Sequence, residues 1–374
     1  MPDRSDLVVE ALTRPAEHFA SWKATHWARL LQQARAAGLL GRVGERLSGA
    51  WPDGRPPPWP EGFAGHLAAV QRVTRAQRAE VERELRHIVR AMAGLGAPVI
   101  VLKGAAYLAA DLPPGRARMF SDIDILVSKA AIAEAESQLM LHGWMGTHDN
   151  AYDQRYYREW MHELPPMQHV HRGTTLDLHH NILPETARLK PEGRHLIASA
   201  LPIAGRPGLH VLAPADMVLH SLTHLFMNDD MSHALRDLSD LDLLLRHFSE
   251  VSGFWDQLLE RAALLDLQRP LHYALRHAAR VLGTPLPPYV EEIAARRAPH
   301  LPVSLLMDAI WRRALRCPHP SARLPGSAAA LFTLYLRGHW LRMPPWLLAR
   351  HLAIKALRLH ERSTLGEVAA PTKG

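Results

Sequence analysis

Cysteine is nearly absent: Cys317 stands alone among 374 residues. One thiol forms neither an internal disulfide nor a cysteine-rich zinc site, so the expected location is cytoplasmic. The first residues, MPDRSDLVVEALTRPAEH, lack the basic-then-apolar order of a secretory leader. No apolar run approaches the length of a membrane span. The chain has no internal repeat, no dinucleotide GxGxxG followed by an acid, and no Walker lysine.

What is plentiful is proline, at 29 residues, with 23 glycines and a formal charge of +7. The positive balance suits a polyphosphate, an anionic peptide, nucleic acid or a membrane surface, and does not choose among them. An arginine-rich composition alone gives the same charge. The length allows two or three substructures.

One stretch organises the rest: VIVLKGAAYLAADLPPGRARMFSDIDILV, Val99 to Val127. Val99 to Leu102 reads as a buried strand, ending at Lys103-Gly104. Ala105 to Ala110 favours helix, and Pro113, Pro114 and Gly115 break it. Ser121 to Val127 reads as a second strand. Asp122 and Asp124 sit two apart on it, so they share a face, while Ile123 and Ile125 point to a core. Two adjacent carboxylates repel, and a divalent cation offsets that repulsion. Thr174 to His180 reads as a third strand, with Asp177 and His179 on one face. If it lies beside the second, three acids converge, as two-metal phosphoryl or nucleotidyl transfer requires. Each acid alone also reads as a solvated strand residue.

These residues carry a resemblance. Lys103-Gly104 after a strand, Arg118, Ser121-Asp122-Ile123-Asp124-Ile125-Leu126-Val127 and Leu176-Asp177-Leu178-His179 resemble the uncharacterised bacterial nucleotidyltransferase family of the polymerase-beta-type superfamily. The resemblance runs from about residue 20 to about residue 290. It implies an α+β fold with a small mixed sheet, two magnesium ions and a nucleoside triphosphate donor, ATP among them. It also implies Asp122, Asp124 and Asp177 as metal-binding catalytic acids. The superfamily's usual Gly-Ser is Gly104-Ala105 here, so the hydroxyl beside the triphosphate is missing. Lys103, Gly104, Arg118, Ser121, His179 and Arg236 are candidates for the nucleotide side of the site.

Around this core the chain reads as helical. Residues 1–96 form an amino-terminal segment with a long helix from Leu67 to Leu95 and a proline-rich break from Trp51 to Pro60. Residues 97–185 form the core, and residues 186–374 a helical carboxy-terminal domain. In the core, Pro165-Pro166 predicts that the strand near Met161 to Val170 is an edge or bulged one. His162, His169 and His171 lie near the third acid. Residues 186–210 read as a connection.

Ala215 to Met227 is a helix carrying His220 and His224 on one face, expected to face the cleft. This is half of a zinc pattern and no more. In the next helix, Arg236 and Asp240 are expected to pair at i and i+4, with Asp242 turned outward. The crowding of acids predicts that Asp124→Asn raises stability in the absence of metal. The basic stretch Trp346 to Arg358 suits a docked helix, a dimer contact or a weak membrane contact. Gly366 to Gly374 reads as a frayed tail.

The expected activity is magnesium-dependent transfer of a nucleoside monophosphate to an unknown acceptor: a small molecule, peptide, protein or RNA. A phosphotransferase on the same scaffold and an inactive binding protein are the alternatives.

Overall fold

The computed structural model describes residues 4–51, 59–147 and 151–349. The centre of the expected proline-rich break, the basic stretch from residue 350 onward and the tail lie outside the described residues.

The amino-terminal segment is α1 (Leu7–Thr13), α2 (Ala24–Ala36), α3 (Leu40–Ala50) and the long α4 (Glu61–Ala91). Helical spacing puts Trp27, Leu30, Val43 and Leu47 on facing sides, where all are fully buried in one apolar cluster with Leu235 and Cys317. α4 leaves Val73 exposed, while Leu85 and Ile88 enter the main core.

The middle of the chain follows in order: β1 (Val99–Val101), α5 (Lys103–Ala109), β2 (Ile123–Leu126), α6 (Ile132–Leu141), β3 (Trp144–Gly146), α7 (Ala151–Trp160), β4 (Met167–His169) and β5 (Thr175–His179). Then come α8 (Gly193–Ala198), β6 (Leu201–Pro202) and β7 (Leu209–Val211). The seven strands make one sheet in the order β3-β4-β5-β2-β1-β7-β6. β2 runs parallel to β5 and β1 parallel to β7, while the remaining pairs are antiparallel. The fold is therefore α+β with a mixed sheet.

Two expectations change here. The residues between 186 and 210 are not a bare connection, because α8, β6 and the start of β7 lie there, and β7 extends the sheet past β1. Its short run, Leu209-His210-Val211, offers too little periodicity to stand out in sequence. β4 is not an edge, since it lies between β3 and β5. The interruption at Pro165-Pro166 is real. Glu163 bridges to His179 and Leu164 donates to Leu178, and the ladder resumes only at Met167. The prolines, which lack N–H groups, fall in the gap.

The last third is helical: α9 (Pro214–Met227), α10 (Ala234–Phe248), α11 (Phe254–Leu264), α12 (Gln268–Leu282), α13 (Pro288–Ala295), α14 (Leu301–Ala314) and α15 (Ser327–Arg342). α9 is buried along almost its whole length, and α10 packs beside it. This pair roofs the face of the sheet that carries the acids. Among the described residues no helix is long and apolar enough to cross a membrane.

Candidate active site

Strand parity builds the centre of the site. In the parallel register Asp124 stands opposite Asp177, with Ile123 opposite Leu176 and Ile125 opposite Leu178. The isoleucines and leucines are at most 1 % exposed, which fixes which face is core. Asp124, Asp177 and His179 are thereby turned to the other face together. Their ligand atoms lie within 4.8 Å of one another. Asp122 precedes β2, and its Oδ1 accepts from Ser121 Oγ at 2.8 Å. It lines the cleft beside Asp124.

Asp124 and Asp177 differ electrically. Asp124 is 3 % exposed, and its Oδ1 accepts from Lys103 Nζ and His179 Nε2, both at 3.0 Å. Burial alone would raise its pKa, but the Lys103 ammonium and the His179 ring hold it well below the carboxylate range. Asp177 has only the nearby His179 charge to favour its ionisation, and that is outweighed. Its Oδ1 is buried and meets no hydrogen-bond donor. Burial first, then the charges of Asp124 and Glu163, push its pKa up to about 7. A buried carboxylate oxygen without a donor, facing a second carboxylate, is a place that fits a cation.

Lys103 opens α5 with φ at +46°, the left-handed region that disfavours a side chain. That backbone turn accompanies a Nζ brought onto Asp124. Burial would lower the Lys103 pKa, yet Asp124 and Glu163 outweigh it and raise it. At the next residue a Cβ would stand 2.7 Å from Arg118 Nε, so only glycine fits at Gly104.

His179 lies between two carboxylates. Nε2 faces Asp124, and Nδ1 is 3.3 Å from Glu163 Oε2. Burial works against its protonation, but Glu163 and then Asp124 overcome that and raise its pKa. His162 packs against the His179 ring, and burial drops its own pKa well below the usual range.

The roof and rim of the cleft come from α9 and α10. His224, Ser221, Arg236 and Asp237 line it, opposite Lys103 and Asp124. His224 Nδ1 is 3.4 Å from Asp237 Oδ2. His220, one turn earlier, is buried beneath the surface, where the charges of Lys103, His224 and His179 all reach it. The two histidines thus lie toward the acids, as their shared helix face predicted.

The expected Arg236–Asp240 pair does not form. Arg236 reaches Asp237 at 3.1 Å, and Asp240 is taken by two other arginines. Arg42 Nη2 donates to Asp240 Oδ1 at 2.6 Å and to the Pro114 carbonyl at 3.0 Å, and Arg118 pairs with Oδ2. Gly41 allows this approach, because a Cβ there would stand 2.6 Å from the Ala117 carbonyl oxygen. α3 therefore lies against the loop before β2, and Arg42 enters the core. Asp242 is not outward either. It accepts from Thr284 Oγ1 at 2.6 Å and from Arg246 Nε at 2.8 Å. The end of α12 meets α10 there, which spacing along one helix does not reveal.

Asp124 on β2, Asp177 in register on β5, Asp122 just before β2 at the same cleft, and a lysine-glycine turn at the end of β1 are now together. A family model described as uncharacterised nucleotidyltransferase matches residues 23–283. The chain belongs to the uncharacterised nucleotidyltransferase family. Family membership implies a nucleotide substrate. No curated protein matches the chain.

The match to the nucleotidyltransferase family runs from just before α2 to the end of α12, so it includes Arg42, the whole sheet and Asp240. It leaves α13, α14 and α15 outside. Sequence reasoning missed Arg42 and Glu163. For Arg42 the signal was faint: an arginine between Gly41 and Val43, with Gly44 after it, on a helix otherwise read for its apolar face. For Glu163 the signal was its place between His162 and the proline pair.

Proposed function

We propose that the chain transfers a nucleoside monophosphate from a nucleoside triphosphate to an acceptor, using magnesium held by Asp122, Asp124 and Asp177. The polymerase-beta-type superfamily is the wider group to which this reading assigns it. The observation that carries the reading is the in-register Asp124–Asp177 pair, with Asp177 Oδ1 buried and free of donors. A carboxyl group pushed up to about 7 is one that a divalent cation would ionise and hold. Bound magnesium supplies positive charge to the phosphates and eases deprotonation of an acceptor hydroxyl.

The chain's own residues do the rest. Lys103 and Arg236 present positive charge to the cleft, where several phosphate charges must be met. Gly104 keeps the wall between Lys103 and Arg118 free of a side chain. Arg118, tied to Asp240, fixes the floor beside Asp122 rather than reaching freely into the cleft. His179, held by Glu163 and Asp124, orients Asp124. In the reaction the acceptor hydroxyl gives up its proton and its oxygen bonds the α-phosphorus. The bond from that phosphorus to the bridging oxygen breaks, and pyrophosphate leaves.

The test is incubation with α-labelled and γ-labelled triphosphates, magnesium and host extract, followed by mass spectrometry of the labelled product. Transfer of α-label supports the proposal. Transfer of γ-label alone makes the chain a phosphotransferase. Failure of every triphosphate to bind makes it a binding scaffold.

A further inference from the structure

A second pocket opens next to the first, on the part of the chain beyond residue 283. Asp230 and Ser232 line both, so only one turn separates them. The second pocket is lined by Arg313, Arg316 and Arg323. Arg313 donates to the carbonyls of Pro325 and Ala309, and Arg316 to those of Ala322 and Arg4. Arg323 is exposed and its side chain makes no hydrogen bond to any described residue. Among the described residues no carboxylate lies within ion-pairing distance of any of the three. Of the two acids at the rim, Asp229 is matched by Arg342 at 2.7 Å, and Asp230, hydrogen-bonded by Ser232, keeps its charge, so three arginines face one unmatched carboxylate. The pocket is left with a surplus of positive charge.

The 16-residue helix α15 begins in this pocket at Ser327. Its first turn carries the positive end of the helix dipole, while the Ser327 N–H itself donates to the Leu324 carbonyl at 3.1 Å. Ser327 is itself only 5 % exposed, and its Oγ has no hydrogen-bond partner. A buried hydroxyl lining a cationic pocket at a helix start is an unmet donor, and a phosphate oxygen would satisfy it. Above it the Phe332 and Tyr335 rings lie nearly parallel, 17° apart; Phe332 is exposed, and the Tyr335 ring, exposed in part, also meets the His339 ring. Aromatic faces beside arginines accept stacked bases.

We propose that this pocket is the acceptor subsite of the transferase. It takes the phosphate of a nucleotide-type acceptor at Ser327 and the start of α15, with the base against Phe332 or Tyr335. The proposal rests on the transfer reading above for the word acceptor, but the binding itself does not depend on it. Free nucleotides and the ends of oligonucleotides share this chemistry.

Calorimetry on the full chain, without magnesium or triphosphate, tests it. The probes are a 5′-phosphorylated triadenylate, the same trimer without phosphate, AMP and inorganic phosphate. The phosphorylated trimer is expected to bind about tenfold tighter than the unphosphorylated one, since a charge-assisted hydrogen bond is lost without it. Arg323→Gln weakens it about tenfold and Ser327→Ala about threefold. Arg312→Gln, exposed and outside the pocket, leaves it unchanged. AMP binding as tightly as the trimer assigns a free nucleotide, and tighter trimer binding assigns a strand end. Equal binding of both trimers overturns the proposal. So does wild-type binding by R323Q and S327A, or a loss in R312Q equal to that in R323Q. Inorganic phosphate binding as tightly as AMP removes the base from the site and overturns the nucleotide class. Binding without any transfer refutes the transfer reading alone, and transfer without binding here refutes the subsite alone.

Discussion

Asp124 and Asp177 face each other in register across two parallel strands, yet they hold their charges under opposite conditions. Asp124 is compensated by Lys103 and His179, while Asp177 is half-buried with its Oδ1 buried and without a donor among the described residues. The pair is therefore not two equal repelling acids. One is already neutralised by the protein, and the other waits for a partner.

This reverses the stability effect expected for Asp124→Asn. Removing that charge leaves the Lys103 ammonium without its counterion and His179 with one carboxylate instead of two. Breaking a buried pair from one side costs about 3 kcal/mol or more. The variant is expected to lose transfer and to melt earlier in metal-free buffer at pH 7. Asp124, with its depressed pKa, contributes its stability above the unfolded value near 3.8, so the loss is fully present there. Denaturant titration checks the stability, and an unchanged midpoint would sink the account. Glu292→Gln, on a side chain 72 % exposed, is the neutral control.

Asp177→Asn carries the opposite sign. At pH 8 the wild-type carboxylate is ionised against its surroundings, so the amide raises metal-free stability by on the order of 2 kcal/mol. Transfer is lost as well. Thermal melts with chelator read the first effect, and labelled-nucleotide transfer the second. A variant less stable than wild type at pH 8 contradicts the environment drawn here.

A pH dependence follows from the same group. Its folded pKa, about 7, lies above the ordinary value of 3.8. The native state thus binds the extra proton, and stability rises as pH falls from 8 through 7 toward 5. D177N is expected to flatten that rise. Added magnesium should stabilise the wild type more at pH 8 than at pH 6, because protons compete for the same oxygens. Equal metal-induced shifts at both pH values would count against Asp177 as a ligand.

Asp240→Ala removes the carboxylate shared by Arg42 and Arg118, at 2 % exposure. Two buried guanidiniums then lack a counterion, with a loss of about 3–5 kcal/mol. Removing one arginine instead, in Arg42→Met, is expected to cost less, because the Arg118 pair survives. Urea titrations rank the two, and the reverse ranking refutes the shared clamp.

Much of the site was legible in local periodicity. Alternation along the two strands placed Asp124, Asp177 and His179 on one face, and the core burial of Ile123, Ile125, Leu176 and Leu178 agrees, while Asp122 falls just before β2. What periodicity does not encode is the partner across space. Asp240 was matched to its helical neighbour Arg236, whereas the arginines that claim it arrive from α3 and from the loop before β2. The same limit hid Glu163, which meets His179 only because the proline gap lets the chain cross β5 there. Short strands fell below the reach of pattern altogether, as at β7.

The Arg42–Asp240 contact closes over 198 residues of chain. During synthesis Arg42 and Arg118 leave the ribosome long before Asp240 does. Until α10 emerges, both cations have no counterion and must stay in water, so α3 has no reason to settle against the loop before β2. The cleft is thus completed late, by a single carboxylate, and a nascent chain halted before that residue would hold Asp124 and Asp177 without the clamped arginines beside them.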